Sequence, residues 1–119
     1  MNEGLEKLGE YKNGREGDVF AYSAIENIRL PSTLKRIEIG TFKLCKNLKN
    51  VIIPSGVEFI GDWCFYGSGI EEITLPSTLE GTCGGVFYSC SGLKTVWMEE
   101  GCTLDVRKYV DKSVEVRYK

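Results

Sequence analysis

The stretch Leu48-Lys49-Asn50-Val51-Ile52-Ile53-Pro54-Ser55-Gly56-Val57-Glu58-Phe59-Ile60-Gly61, followed by Phe65, decides how this chain folds. Its first half ends in Val51-x-Ile53, the alternation of a short strand with one face buried. Pro54 has no N–H to give to a sheet ladder, so it closes that strand. Ser55-Gly56 turns the chain, and Val57-x-x-Ile60 runs on as a second extended piece. Residues 62–64 then lead Phe65 inward through a tight turn or a single helical turn. A unit this small cannot bury both of its faces alone, but stacked copies can.

Such copies flank the stretch on both sides. Phenylalanine recurs at Phe20, Phe42, Phe65 and Phe87 in steps of 22, 23 and 22, and all three prolines, Pro31, Pro54 and Pro76, share a second column. Each proline follows an apolar-x-apolar triplet, at 28–30, 51–53 and 73–75. A fourth triplet, Val96-Trp97-Met98, keeps step but is followed by Glu99. Leu34, Val57 and Leu79 stand three residues after the prolines, and Cys102 stands three after Glu99. The third residue after each phenylalanine is Ser23, Cys45, Ser68 and Cys90 in turn.

The predicted architecture is a β-rich solenoid of about four 22–23-residue repeats in one domain, 1–119. Residues 1–18 read as an N-terminal cap, 19–103 as repeats and 104–119 as a C-terminal cap ending in a strand. Triplets 28–30, 51–53, 73–75 and 96–98 should form one parallel sheet, with 114–118 available as a fifth strand. The phenylalanines should stack as a buried spine. Thr82-Cys83-Gly84-Gly85 departs from the pattern and should be locally distorted. From Leu104 onward the Phe and Pro columns are lost, and Lys112, Arg117 and Lys119 suit an edge that must not pair with strangers.

Composition narrows the chemistry. The 119 residues are 42% hydrophobic and 27% charged, which suits a packed domain rather than a disordered chain. The 15 basic and 17 acidic residues are well mixed, so no basic stripe recruits nucleic acid. There is no histidine. That removes the commonest general base, the Ser–His and Cys–His pairs and every histidine metal site. No convergent acid–base pair replaces them, so no catalytic, cofactor or metal residue is assigned. No apolar run approaches the roughly 18 residues of a membrane helix, so no membrane insertion is expected. Residues Met1 to Glu6 do not read as a secretion signal, which suggests a cytoplasmic location if the sequence is full length.

Of the five cysteines, Cys45, Cys64, Cys83, Cys90 and Cys102, all but Cys83 fall on core columns and read as small buried side chains. No C-x-x-C pair supports a zinc site. Cys45 and Cys90 stand two repeats apart, ~10 Å by strand spacing, beyond disulfide reach. Cys64–Cys83, on adjacent units, is the least impossible bridge, but their columns differ.

The core L-x-x-I-x-L-P-S-x-L-x-x-I, then a small residue and F-x-x-C, resembles the BspA-like leucine-rich repeats over about Val19 to Cys102. The resemblance implies a leucine-rich-repeat solenoid from secreted or cell-surface bacterial proteins that adhere to host proteins or other cells. It implies no catalytic residues.

Middle residues of the triplets should point away from the core. That column, Arg29, Ile52, Thr74 and Trp97, with Lys49 and Lys94 at its border, is the candidate protein-binding face. Apolar residues in the centre with charges at the rim match the anatomy of protein interfaces. The plainer reading is that single exposed apolar residues are ordinary and that the cap covers Trp97. The column Glu26, Lys49, Glu71, Lys94 reads as a charge ladder supporting register rather than a ligand site. Two functions follow: a non-enzymatic module binding a protein partner through the strand face, or a structural spacer or terminal piece of a longer repeat array.

Overall fold

The computed structural model describes the backbone of Lys7 and Leu8, and residues 22–82 and 85–119. Short strands follow one another along the chain: β1 (Lys7–Leu8), β2 (Arg36–Ile37), β3 (Asn50–Ile52), β4 (Phe59–Ile60), β5 (Glu72–Leu75), β6 (Gly81–Thr82), β7 (Thr95–Met98) and β8 (Glu115–Tyr118). Among the described residues the one helical piece is a 3-10 turn at Val106–Lys108. The strands form two parallel sheets, in the orders β3-β5-β7-β8 and β1-β2-β4-β6. The two central coils each give one strand to each sheet, β3 and β4 and then β5 and β6, and the molecule is a β-solenoid of about four turns.

The repeat columns become ladders. Val51, Ile73, Val96 and Val116 stand opposite one another, the first three buried between the sheets. On the other side Ile37, Ile60 and Thr82 are in register. The turn after each triplet is also repeated. The N–H groups of Leu34, Val57, Leu79 and Cys102 donate to the carbonyls of Pro31, Pro54, Pro76 and Glu99 at 3.1, 3.3, 3.2 and 3.1 Å. Glu99 can replace proline because the turn uses only its carbonyl. Its own N–H, which proline lacks, donates to Leu75 at 3.0 Å.

Among the described residues the spine forms from Phe42 to Phe87. Phe42 and Phe65 are fully buried, with ring centroids 5.5 Å apart and 10° between planes. Phe65 and Phe87 follow at 6.1 Å and 15°. Backbone bonds between successive turns hold this spacing: Phe42 N–H donates to Cys64 at 2.9 Å and Phe65 N–H to Val86 at 3.1 Å. Two residues after each phenylalanine the chain takes a left-handed conformation, with φ of 64°, 58°, 63° and 60° at Tyr22, Leu44, Gly67 and Ser89. Only one of these is glycine. Such a conformation is costly for the others and is held by bonds such as Tyr22 N–H to Lys43 and Leu44 N–H to Tyr66, at 2.8 and 2.7 Å.

Several expectations need correction. Residues 28–30 are not a strand. Leu30 is buried, but Asn27 and Arg29 are exposed, and a groove of about 440 Å³ separates this segment from β3. With Ile28 only half-buried where Val51 and Ile73 are fully buried, and the groove between the segments, the first triplet stays outside the ladder. The third unit is not distorted at Thr82, which pairs with Ile60 in β6 and donates its hydroxyl to the Ile60 carbonyl at 3.0 Å. The hydroxyl satisfies itself on the neighbouring turn, so a polar residue fits an apolar slot. The Phe column does not end at Phe87: Tyr109, 22 residues later, packs half-buried against the core. Val19, Phe20, Cys83, Gly84 and, apart from the backbone of β1, the cap over 1–18 lie outside the described residues.

Cys45, Cys64, Cys90 and Cys102 are thiols rather than disulfide halves. Cys45 and Cys64 are buried, whereas Cys90 and Cys102, expected to be buried, are half-buried, Cys90 beside the cap groove. The Cys90 Sγ donates to the Phe65 carbonyl at 2.9 Å and lies 3.6 Å from Ser68 Oγ, its neighbour in the column. Burial pushes the Cys45, Cys64 and Cys90 thiols above their ordinary pKa. Thiol reagents should therefore modify Cys64 only after unfolding, which mass spectrometry at increasing urea would read. A folded-state pKa above the unfolded one gives stability that is complete below the unfolded value, about 8.5. That stability is lost as pH rises toward the folded value. Urea stability should fall between pH 8 and 10, and Cys64→Ala should reduce the drop. A rise over that interval would contradict the burial.

Candidate binding face

Parallel pairing without register slips places Ile52 beside Thr74, Thr74 beside Trp97 and Trp97 beside Arg117. The four residues form one row across β3, β5, β7 and β8. Its centre is not flat. Ile52 is 70% exposed, while Thr74 between its taller neighbours is only 9% exposed. Thr74, expected as a projecting contact, is therefore the floor of a slot. Ile52 and Trp97 are its walls, with Asn50, Glu72 and Lys119 also lining a space of about 210 Å³.

Trp97 is half-buried, and its environment combines both sequence readings. Its indole Nε1 donates to Glu72 Oε1 at 2.8 Å. The Arg117 guanidinium and Lys119 ammonium lie over the ring at 5.8 and 4.9 Å from the centroid, within cation–π range. Arg117 also donates to Glu115 Oε2 at 2.8 Å, and this bond holds the Glu115 carboxyl below its usual pKa. The cap strand thus brackets the indole, and Lys119 reaches the margin of the slot that Trp97 walls.

The predicted rim is less organised. Arg29 is exposed beside the groove that separates residues 27–30 from β3, away from the ladder. Lys49 and Lys94 are exposed at the other end of the strands. In the charge column only Lys49 and Glu71 approach, at 4.0 Å and about half-exposed, among the described residues. That distance in solvent is worth little, so Lys49→Ala should change unfolding free energy by less than about 0.5 kcal/mol.

The sequence reading missed Glu72, Arg117 and Lys119 as partners of Trp97. Trp97 meets Arg117 across an interval of 20 residues, not the repeat length, so column counting could not align them. It also missed a row of aromatic rings on the turn side: Trp63 stacks on Tyr66 at 5.1 Å, and Tyr66 on Tyr88 at 6.0 Å. The available signal was that Tyr66 and Tyr88 each directly follow a spine phenylalanine.

The described residues contain no group of three or more His, Cys, Asp or Glu side chains placed to hold a metal ion. They contain no helix long and apolar enough to cross a membrane. A family model described as BspA type leucine rich repeat region matches residues 16–110 in six copies. No curated protein and no solved structure matches the chain.

Proposed function

The chain belongs to the BspA-type leucine-rich-repeat family, and from that premise we propose that it is a non-enzymatic module that binds a protein partner through its strand face. The carrying observation is the row Ile52–Thr74–Trp97, where an exposed aliphatic side chain and an indole flank a slot whose floor is already desolvated. A partner side chain entering it would meet apolar walls with Asn50, Glu72 and Lys119 at the margin. That arrangement, an apolar pocket ringed by polar groups, is the form of an interface hot spot. Arg29, Lys49 and Lys94 would lie toward its rim. Adhesion at a cell surface is a finer form of the same reading and rests on the family alone.

The test is site-specific photo-crosslinking. A photoreactive residue at position 52 should join to a discrete protein from source-cell extract, and one at Glu58, exposed on the turn side, should not. Ile52→Ala and Trp97→Ala should each weaken recovery of that protein at least tenfold. Ile52→Ala should leave the melt unchanged. Trp97→Ala should cost about 1–2 kcal/mol, below the range for a fully buried ring. Capture from position 58 but not 52 would put the interface on the other side, and capture from neither would leave the spacer reading.

A further inference from the structure

Two aromatic stacks run along the solenoid, and both end at one place. The spine ends at Phe87, whose inner face meets Phe65. The surface row ends at Tyr88, whose inner face meets Tyr66. Beyond their outer faces lies a groove of about 340 Å³ between the last full turn and the cap. The ring next in the Phe column, Tyr109, does not continue the stack. It follows the 3-10 turn at Val106–Lys108 and lines the far side of the groove with Val110 and Val114. Among the described residues no ring pair joins it to Phe87 or Tyr88.

We propose that this groove binds a small planar aromatic molecule carrying a positive charge, its ring stacked on Tyr88 beside Phe87. Three observations support the class. Phe42, Phe65 and Phe87 stack at 5.5 and 6.1 Å and Tyr66 and Tyr88 at 6.0 Å, so the position beyond Tyr88 has the shape of a ring. Tyr88 is 66% exposed, leaving its outer face accessible. Asp111 is the one charged side chain lining the groove, while the hydroxyls of Tyr88, Ser89, Ser91 and Tyr109 and the Cys90 thiol are its neutral polar groups. Asp111 Oδ1 accepts one bond, from Ser113 N–H at 3.2 Å, and Arg107 Nη1 donates to the Asp111 carbonyl rather than to the carboxylate, at 3.4 Å, so the charge complement is a cation. Size sets the rest: a cavity of about 150 Å³ takes a benzene ring, so this groove holds a fused bicycle with a short side chain. The site is separate from the strand face and does not depend on the protein-binding reading.

Tryptamine is the probe, with indole-3-acetate as its anionic counterpart, titrated against the full chain by heteronuclear NMR. Tryptamine should cause saturable shifts at Leu93, Tyr109 and Val114 with a dissociation constant of about 1 mM or lower. Indole-3-acetate should bind several-fold more weakly, because a carboxylate beside Asp111 is repelled. Val110→Trp, which fills the groove, should abolish the shifts, whereas Ile52→Ala on the strand face should leave them intact. Should Val110→Trp not fold, Tyr88→Ala removes the stacking surface at an exposed position and should weaken binding at least fivefold. Shifts that fail to saturate in the millimolar range, equal affinity for the two probes, or binding unchanged by both groove variants would overturn the proposal.

Discussion

Phe65→Ala should lower the unfolding free energy by about 3–5 kcal/mol, read as a shift of the urea midpoint with little change in slope. Phe65 is the described ring of the buried spine with a stacked neighbour on both sides, 5.5 Å from Phe42 and 6.1 Å from Phe87. Truncation removes the transfer free energy of the ring and leaves a cavity that two backbone ladders keep from collapsing. A repeat array is stable only through its interfaces, and this one lies in the middle. With a total stability of roughly 5–15 kcal/mol expected for a domain of this kind, the variant should be near its unfolding threshold at 37 °C. Phe87→Ala should cost less, because that ring is 7% exposed and faces the cap groove. Equal losses for the two would mean that stacking position does not matter and that the spine is not the source of stability.

Gly69→Ala should cost about 2–3 kcal/mol, while Gly92→Ala at the corresponding place one turn later should cost less than about 1 kcal/mol. The two glycines are equivalent by strand register, since Glu72 pairs with Thr95. Their surroundings differ. A Cβ on Gly69 would collide with the carbonyl of Lys46, which is backbone and cannot swing aside. A Cβ on Gly92 would meet Ile70 O at 3.8 Å and Glu71 Cγ at 3.9 Å, ordinary contact distances. Gly69 N–H also donates to Cys45 at 3.1 Å, so shifting this turn to relieve the collision disturbs a bond between repeats. Denaturation of the two single variants side by side is the measurement, and similar losses would show that the close approach at Gly69 relaxes easily.

The solenoid and its spine were legible in residue types because periodicity reports burial directly. Phe42, Phe65 and Phe87 recur at the repeat length, and a residue that recurs with the coil occupies the same position in every turn. The same holds for the turns after Pro31, Pro54 and Pro76, and for the small Ser/Cys column. Counting failed where the period changes or a column changes character. The step from β7 to β8 is 20 residues, so the cations over Trp97 came from a register that no repeat arithmetic contains. Thr74 was placed correctly in its row, yet its burial depends on the heights of Ile52 and Trp97 beside it, which is a property of three strands together. Residues 28–30 carry the triplet pattern but not the pairing, since a ladder needs its neighbour at hydrogen-bonding distance as well as the right side chains. Period is written along one chain, whereas exposure, slots and grooves are set between chain segments, by side chains that meet only after the coils have stacked.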